Sequence, residues 1–209
     1  MGIRERKVRE IETRRKLILS TATDLFLRNG FSRVTLEDIA SAIEFSKGTI
    51  YNHFGSKEEI YASILLEHLA ILLASLKEAA AAGRNTAERL QNATKAYLRF
   101  YRERREYFRL LFFIDHISDQ ERIPDDLLKE IRLLKIACLR ELQNIFKAGL
   151  RSGEVGTGRS SAEVSLILWG MLNGIIQLAE SRQIKEKNLD RLIGVSFEIV
   201  LDGLKNPAA

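Results

Sequence analysis

Apolar residues recur along the chain at the three- to four-residue spacing of amphipathic helices. The first such stripe comprises Ile18, Ala22, Leu25 and Phe26. Gly30 supplies a stop after it, because glycine readily takes the left-handed conformation that ends a helix. Thr35 and Asp38 have the spacing of a capping box that opens a second helix, and Ser46 is a cap for a third. The pattern therefore predicts three helices joined by short turns between residues 13 and 54.

Longer helical patterns follow Ser56, which has the capping-box spacing to Glu59. The predicted segments are 57–82, 86–104, 106–117, 124–153, 161–182 and 189–204. The first dozen residues show little apolar periodicity and are predicted to form a frayed arm. We therefore predict an all-α protein of about nine helices. It divides into a head with its arm (residues 1–56) and a helical body (residues 57–209), with no flexible linker between them.

Composition agrees with this helical class and narrows the setting. The 209-residue chain has only two prolines, and its single Cys138 cannot form an intrachain disulfide, as is typical of a reducing cytosol. The longest uncharged run, 164–179, is shorter than the roughly 20 residues that a membrane span needs. It is interpreted as a buried helix, and no signal peptide is recognised at the N-terminus. We expect a cytoplasmic protein that does not contact a membrane.

The positive charge is concentrated at the start of the chain. Residues 1–57 contain 11 Lys and Arg against 7 Asp and Glu, whereas the remainder contains 22 against 21. Residues 1–57 therefore carry +4 of the net charge of +5. A polyanion such as nucleic acid is expected to dock there.

The third predicted helix has an unusual exposed face. On a helical wheel of 46–54, Ile50 and Phe54 lie together and face the core. Gly48 and Asn52 point the opposite way, on a face without the long charged side chains of an ordinary surface helix. A face reduced by glycine permits close approach to another surface. Two short helices joined by a tight turn, the second with such a face, suit the major groove of DNA.

The stretch 14–61 resembles the DNA-binding head of the TetR/AcrR family of bacterial transcriptional regulators. The residues that carry the resemblance are Ala22, Phe26, Gly30-Phe31, Thr35, Ile39-Ala40, Ser46, Gly48-Thr49-Ile50-Tyr51, His53-Phe54 and Ser56-Lys57. Glu44 departs from the family, which commonly has Gly in this turn. A left-handed non-glycine residue costs about 1–2 kcal/mol, so either the turn has another geometry or some stability is lost.

The resemblance implies a three-helix helix-turn-helix head and a dimeric, ligand-binding helical body. The DNA-binding residues it implies are Thr35, Ser46, Lys47, Gly48, Thr49, Tyr51, Asn52, His53 and Lys57. Thr49 and Asn52 have side chains able to read base edges, whereas Thr35, Tyr51, His53 and Lys57 would mainly hold phosphates and fix the register.

Three of these residues have a purely structural alternative. Tyr51 would then pack on the first helix, His53 would cap its own helix, and Lys57 would be a solvated residue of a first turn. The arm residues Arg4, Arg6, Lys7 and Arg9 either reach the minor groove or phosphates, or attract DNA only diffusely.

A dimer interface is predicted in the last two helices. Gly170 and Gly174 lie one turn apart and form a notch that admits another helix closely. Ile193, Phe197 and Val200 form an apolar stripe on the final helix. Homodimerisation would bury both faces in a bundle of four helices, two from each subunit. The alternative is that both helices pack within the monomer.

An effector pocket is predicted among the aromatic residues of the body. Its proposed lining comprises Phe108, Phe112, His116, Trp169, Asn173 and Gln177. The pocket would lie between the helices that carry Phe112, Cys138 and Trp169 and would take an apolar or amphipathic small molecule. The alternative is a packed aromatic core.

No catalytic or cofactor-binding constellation is recognised. The segment 153–160 approaches the phosphate-loop pattern but has Arg159 in place of Lys and follows a helix instead of a strand. Asp115, His116, Asp119 and Glu121 are close in sequence but fit a solvated helix end better than a metal site.

The predicted function is therefore that of a homodimeric repressor released from a palindromic operator by a small effector, without cofactor or enzymatic activity. A regulator without an effector, an activator, and a helical carrier or enzyme for apolar ligands are the alternatives.

Overall fold

Nine α-helices form the part of the chain that the computed structural model describes, residues 2–113, 123–156, 158 and 160–205. They are α1 (Ile3–Asn29), α2 (Leu36–Ala42), α3 (Lys47–Tyr51), α4 (Lys57–Ala81), α5 (Thr86–Glu103), α6 (Arg105–Phe113), α7 (Asp125–Ser152), α8 (Ser161–Glu180) and α9 (Leu189–Lys205). Short 3₁₀ turns, Phe31–Arg33 and Glu186–Asn188, precede α2 and α9. The all-α prediction is confirmed.

The predicted caps account for where the helices begin. At α2 the Thr35 hydroxyl accepts a hydrogen bond from the Asp38 amide at 3.2 Å, and the Asp38 carboxylate accepts one from the Thr35 amide at 2.8 Å. Ser160 and Glu163 form the same reciprocal pair at α8. Gly30, with φ of 83°, ends α1. Local sequence therefore determines these boundaries without help from tertiary contacts.

The N-terminal arm differs from its prediction, because α1 already begins at Ile3 instead of near residue 13. The Glu5 carboxylate accepts a hydrogen bond from the Gly2 amide at 3.1 Å. Glu10 and Arg14, one turn apart, form an ion pair at 2.5 Å. Such local pairs stabilise a helix modestly even where no apolar stripe exists, and periodicity alone does not reveal them.

By packing, the chain divides into two compact units, Met1–Ile71 with Tyr101–Leu134, and Leu72–Phe100 with Lys135–Ala209. We call them the first and the second unit. Each of the three crossings between them falls inside a helix, in α4, α5 and α7. The predicted boundary between head and body lies between residues 56 and 57. The boundaries of the packing units lie at other positions.

The first unit encloses one continuous apolar core. Residues of α1, α2, α3 and α4 meet there, including Ile18, Ala22, Phe26, Ile39, Ile50, Phe54 and Ile64. Leu110, Ile123 and Ile131, far later in the chain, belong to the same core. The Tyr61 hydroxyl donates to the Leu110 carbonyl at 2.5 Å. The core formed by α1 to α4 is thus completed by residues that lie about fifty or more positions later in the chain.

The second unit contains a close junction of α5 with the end of α7. A Cβ added to Gly149 would lie 2.4 Å from Oγ1 and 3.0 Å from Cβ of Thr86. The Glu154 carboxylate accepts a hydrogen bond from the Thr86 amide at 2.6 Å and thereby caps α5. These bonds hold the pKa of Glu154 below its usual value. Glycine at 149 is therefore required by the packing of this chain.

Two helices, α4 and α8, are long and apolar enough to cross a membrane by length and composition. The segment of α4 is 50% buried within the protein and that of α8 is 33% buried. Core helices of soluble proteins pass the same test, so this resemblance is weak. The run 164–179 was predicted to be a buried helix, but only one of its faces is buried: Leu166 and Ile167 are 56% and 52% exposed.

Candidate nucleic-acid interface

Helix α3 has the two faces that its sequence predicts. Ile50 and Phe54 are buried, at 0% and 1% exposure, in the core of the first unit. Gly48 and Asn52 are exposed, and Tyr51 retains 49% of its accessible surface. This exposure disfavours the alternative in which Tyr51 packs on α1. The exposed face is therefore small and polar, with one aromatic ring at its edge.

Ser46 and Thr49 form the start of this face. The Ser46 hydroxyl accepts a hydrogen bond from the Thr49 amide at 3.1 Å and so caps α3. The two hydroxyl oxygens lie 2.8 Å apart and share a second hydrogen bond. Thr49 is half-buried, and its hydroxyl uses only one of its hydrogen-bonding positions in the bond shared with Ser46. Its methyl group and the remaining capacity of the hydroxyl are what it offers to a partner.

Lys47, at the start of α3, forms an ion pair with Glu37 of α2. This pairing lowers the pKa of Glu37 and raises that of Lys47, with the hydrogen bond between them as the largest cause. The Lys47 ammonium also lies 5.8 Å from the centroid of the Tyr51 ring. Both charged groups are solvent-exposed, so the pair is weak and a phosphate can compete for Lys47.

Gly48 has no packing partner that requires glycine. A Cβ added to it would meet only the Ser46 hydroxyl oxygen, at 3.9 Å. The residue lies inside a helix, where glycine costs about 1 kcal/mol relative to alanine. The absence of a side chain here therefore has no explanation within the described chain.

Glu44 adopts the left-handed conformation, with φ of 55°. The turn between α2 and α3 thus has the geometry for which the family commonly uses glycine, and the alternative of a different turn geometry is excluded. The following amide, of Phe45, donates to the Ala40 carbonyl at 2.9 Å and closes the turn. A non-glycine residue in this conformation costs about 1–2 kcal/mol.

Lys57 has a role that sequence reasoning missed. Its ammonium donates to the carbonyls of Phe31, Ser32 and Val34, at 3.0, 3.2 and 3.0 Å. It also lies 4.7 Å from the centroid of the Phe31 ring. All three N–H donors are thereby used within the protein. The prediction of a phosphate contact for Lys57 is corrected: it joins the start of α4 to the turn before α2.

The two remaining predicted DNA residues, Thr35 and His53, both retain accessible surface. Thr35 is exposed at the start of α2, although its hydroxyl is bonded to Asp38 at 2.8 Å. His53 is half-buried just after α3. Eight of the nine residues, all except Lys57, therefore remain candidates, and the interface itself stays a prediction.

The predicted dimer residues divide into two groups. Gly170 and Gly174 are exposed, and a Cβ added to either would meet nothing within 4 Å. Ile193 and Phe197, in contrast, are buried within this chain at 3% and 9% exposure, and α9 packs on α8. Their assignment to a dimer interface is therefore wrong. Val200 is half-buried.

The exposed apolar residues of α9 are instead Val195 and Ile199, at 42% and 65% exposure. On a helical wheel they lie opposite the buried stripe. The α8 residues Leu166, Ile167 and Leu178 share a face with the two glycines. A large exposed apolar area on neighbouring helices is typical of an interaction surface.

The predicted effector residues are not brought together as one group. Phe108, in the first unit, is buried and lies edge-on to Tyr101 at 5.2 Å. Gln177 is exposed on α8, so its prediction as an anchor in a cavity is not supported. His116 and the side chain of Phe112 lie outside the described residues.

Trp169 and Asn173, in the second unit, belong to a cluster with Tyr97 of α5, which the sequence did not single out. The Tyr97 hydroxyl donates to Oδ1 of Asn173 at 2.5 Å, and Nδ2 of Asn173 donates to the Trp169 carbonyl at 2.9 Å. The Tyr97 and Trp169 ring centroids are 5.0 Å apart. Burial raises the pKa of Tyr97, and it raises that of the nearby Cys138 thiol to about 12. The buried Cys138 thiol is therefore protonated at neutral pH.

No group of His, Cys, Asp and Glu suited to a metal ion occurs among the described residues.

Two family models match the chain. The model for bacterial regulatory proteins of the tetR family matches residues 18–64, and that for the tetracyclin repressor-like C-terminal domain matches residues 83–177. The first match contains the whole motif from α2 to α3, and the second contains α5 and most of α8.

Curated relatives match over part of their length. The transcriptional activator FasR of Mycolicibacterium smegmatis is 27% identical over 110 residues, 53% of this chain and 50% of that protein. The transcriptional repressor KstR2 of Mycobacterium tuberculosis is 32% identical over 87 residues, 42% of this chain and 44% of that protein. The matched stretch thus spans about half or less of each relative.

Solved structures match over almost their whole length. The TetR family regulator PfmR of Thermus thermophilus has a TM-score of 0.72 and 28% identity, over 90% of this chain and 98% of that one. The regulator FadR of Bacillus subtilis, solved with stearoyl-CoA, has a TM-score of 0.74 and 19% identity, over 90% and 98% of the two chains. Motif, helical architecture and both family models agree, and the chain belongs to the TetR family of bacterial regulatory proteins.

Proposed function

We propose that this protein is a homodimeric transcriptional regulator that reads DNA with the exposed face of α3. The observation that carries the proposal is the pairing of a buried stripe, Ile50 and Phe54, with an exposed face centred on Gly48. One face of this short helix anchors it to the core, and the centre of the other face has only the hydrogen atom of Gly48 in place of a side chain. Such a helix fits closely into a major groove. Thr49 and Asn52 are the base-reading residues, and Tyr51 and Lys47 hold the backbone.

The experiment is selection from a random duplex library with the purified full-length chain. Tyr51→Ala is run beside the wild type, and Leu133→Ala is the matched control, because Leu133 is exposed to a similar extent, 55%, on α7. We expect the wild type and the control to enrich one palindrome and Tyr51→Ala to lose it. Enrichment of no sequence by the wild type would reject base reading by α3.

We propose that the dimer forms through the exposed faces of α8 and α9. The glycine notch at Gly170 and Gly174, with Ile167, Leu178 and Ile199 around it, supports this surface. Sedimentation of Ile199→Asp should show a monomer where the wild type is a dimer. Leu133→Asp is the control, since it places the same charge on an exposed apolar site outside that surface. A dimer that persists in Ile199→Asp would move the interface elsewhere.

We further propose that an apolar or amphipathic effector binds in the second unit, near Trp169 and Asn173. A polar pair, Tyr97 and Asn173, enclosed by aromatic and apolar side chains is the kind of lining that orients such a ligand. Because the FadR structure contains stearoyl-CoA, this compound is the first probe.

The effector test measures release of the selected palindrome by stearoyl-CoA and by free stearate. Asn173→Leu should weaken release, whereas Gln177→Leu, one turn further along α8 and exposed, should not. Equal release from both variants would contradict an effector site at Asn173.

We propose repression as the sign of regulation, with the effector shifting the population towards a state that binds DNA weakly. The names of the relatives include both an activator and a repressor, so a reporter assay decides. A promoter that carries the palindrome should become more active when the gene is deleted, and lower activity would indicate an activator.

A further inference from the structure

The side chains in the first four turns of α1 are almost all exposed to solvent. Every described side chain from residue 4 to 17 is exposed, apart from the half-buried Arg15. The first buried residue of α1 is Ile18. Val8 and Ile11 keep 52% and 47% of their surface exposed. We call residues 3–16 the helical arm.

The arm has one face without acidic residues. At 100° per residue, a sector of about 120° contains Arg4, Lys7, Val8, Ile11, Arg14 and Arg15. The three carboxylates, Glu5, Glu10 and Glu12, lie outside this sector, although Glu10 reaches its edge in the ion pair with Arg14. The sector continues the line of Ile18, which faces the core. We call it the basic face.

The arm extends from a point beside the end of α3. The Arg15 guanidinium lies 4.5 Å from the centroid of the Phe54 ring. Phe54 follows α3 after only two intervening residues. Because α1 continues without interruption from this contact to Ile3, the arm begins beside the end of α3, whose opposite face is the proposed DNA surface, and it extends past the packed part of the first unit.

We propose that the basic face of the helical arm binds the phosphate backbone of the duplex beside the palindrome. The proposal rests on the proposed function, since it needs α3 to bring DNA to this side. The charge of the face is complementary to phosphate, and Val8 and Ile11 provide apolar contact to the sugars.

The helical state of the arm decides what kind of contact it makes. A helix with side chains is about 10–12 Å across, whereas the minor groove is about 6 Å wide, so the arm does not enter it. The alternative in which the arm residues reach into the minor groove does not fit this geometry. An arm of fourteen residues is about 21 Å long, the length of about six base pairs. It therefore contributes affinity and footprint length without reading sequence.

The test compares two variants of the arm with equal loss of charge. The first replaces Arg4, Lys7 and Arg14 of the basic face by Gln. The second replaces Arg6, Arg9 and Lys16, on the other side of the helix, by Gln. Glutamine preserves helix propensity, and circular dichroism checks that both variants fold. Affinity for the selected palindrome, with and without flanking duplex, is measured as a function of salt, together with the hydroxyl-radical footprint.

We expect the basic-face variant to reduce the slope of log Kobs against log salt by up to about 2.7, or 0.9 for each phosphate contact. The protected region should shorten at both ends, and added flanking duplex should no longer increase affinity. The opposite-face variant should change the slope by less than about 1. The selected sequence should be unchanged in both.

Two outcomes overturn the arm proposal while leaving the proposed function intact: equal effects of the two variants, which would mean diffuse attraction, and no effect of either. If the wild type binds no duplex at all, both proposals fall together.

Thr13→Pro, which keeps every charge but breaks the helix, should shorten the footprint like the basic-face variant. A full footprint in this variant would overturn the rigid-helix contact.

Discussion

Gly48 in α3 and Gly149 in α7 are both glycines inside helices, but they differ in what surrounds them. A side chain at 149 would collide with Thr86 at 2.4 Å, whereas one at 48 would touch only a hydroxyl at 3.9 Å. The fold explains the first glycine and leaves the second unexplained. A residue that costs helix stability without any internal compensation indicates a partner outside the chain.

Other residues also divide into those explained by contacts inside the chain and those without such an explanation. Gly170 and Gly174 on α8 resemble Gly48, since nothing lies within 4 Å of an added Cβ. Lys57 resembles Gly149, because its three hydrogen bonds are all made inside the chain. Lys47 lies on the open side, where its only ion pair among the described residues is exposed. Residues whose identity is explained by contacts inside the chain can thus be distinguished from residues that await an external partner.

The largest effect is expected from Lys57→Met, which removes the ammonium from its three carbonyls. We expect a loss of about 2–4 kcal/mol in unfolding free energy, because charged hydrogen bonds are strong and the carbonyls lose their partner. Lys47→Met should change stability far less, because its ion pair with Glu37 is exposed to solvent.

Denaturant unfolding measures both lysine variants, and the salt dependence of DNA binding separates the two roles. The slope should stay unchanged for Lys57→Met among folded molecules. An unchanged stability with a slope lower by about 0.9 would restore the phosphate contact that the family resemblance implied.

Gly149→Ala should destabilise the protein by about 1–3 kcal/mol, the usual range for overpacking. The melting temperature should fall by several degrees. Gly149→Ala combined with Thr86→Ser, which removes the methyl group near the added Cβ, should recover part of the loss. Full stability of the single variant would show that the junction of α5 and α7 gives way without cost.

Gly48→Ala should have opposite effects on folding and on binding. Unfolding free energy should rise by up to about 1 kcal/mol, since alanine favours the helix and meets no clash. Affinity for the palindrome should fall by about 1–3 kcal/mol, the size of a lost base contact. Calorimetry and a binding titration measure the two quantities. Unchanged affinity would remove the main support for close approach by α3.

Glu44→Gly should stabilise the protein by about 1 kcal/mol, because glycine accepts the φ of 55° without strain. Affinity for DNA should not change, since the turn already has the geometry that glycine would give it. Glu44→Ala is the control, as it removes the charge and keeps the strain. Equal stabilisation by the two variants would assign the effect to charge.

The smallest effect concerns pH and His68 of α4. Burial lowers the pKa of His68, whose Nδ1 lies 2.9 Å from the Ile64 carbonyl. Arg104 approaches Nε2 at 3.4 Å, so this nitrogen accepts and the ring is neutral. The unfolded chain therefore takes up a proton more readily, and stability falls as pH drops below about 6.5.

Thermal unfolding between pH 7.5 and 5.5 measures this dependence. His68→Phe, which keeps an aromatic ring against Tyr107 at the position of the 3.3 Å stack, should flatten it. Parallel curves for the wild type and the variant would show that other groups cause the dependence.

Local signals predicted most of the fold. Helix starts at Thr35, Ser46 and Ser160 follow from caps within three residues, and the two faces of α3 follow from a wheel. The family resemblance added which residues are predicted to contact DNA, because such contacts depend on a partner that no internal contact reveals.

Longer-range features were not predictable. The apolar stripe of Ile193 and Phe197 showed that α9 has a buried face, but the pattern does not say whether α8 or a second subunit covers it. Lys57 finds its carbonyls 23 to 26 positions earlier, beyond any helical spacing. Tyr97 stands outside the run of aromatics and meets Asn173 only through the packing of α5 with α8.

The core of the first unit has a consequence for protein engineering. Leu110, Ile123 and Ile131 share a buried cluster with Ile18, Phe26 and Ile50, so the DNA-reading motif is not a removable module. A fragment that ends at residue 56 would expose this cluster to water. Chimeras that graft the motif onto another regulator would need to carry α4, α6 and the start of α7 with it, or to rebuild their apolar surface on the recipient.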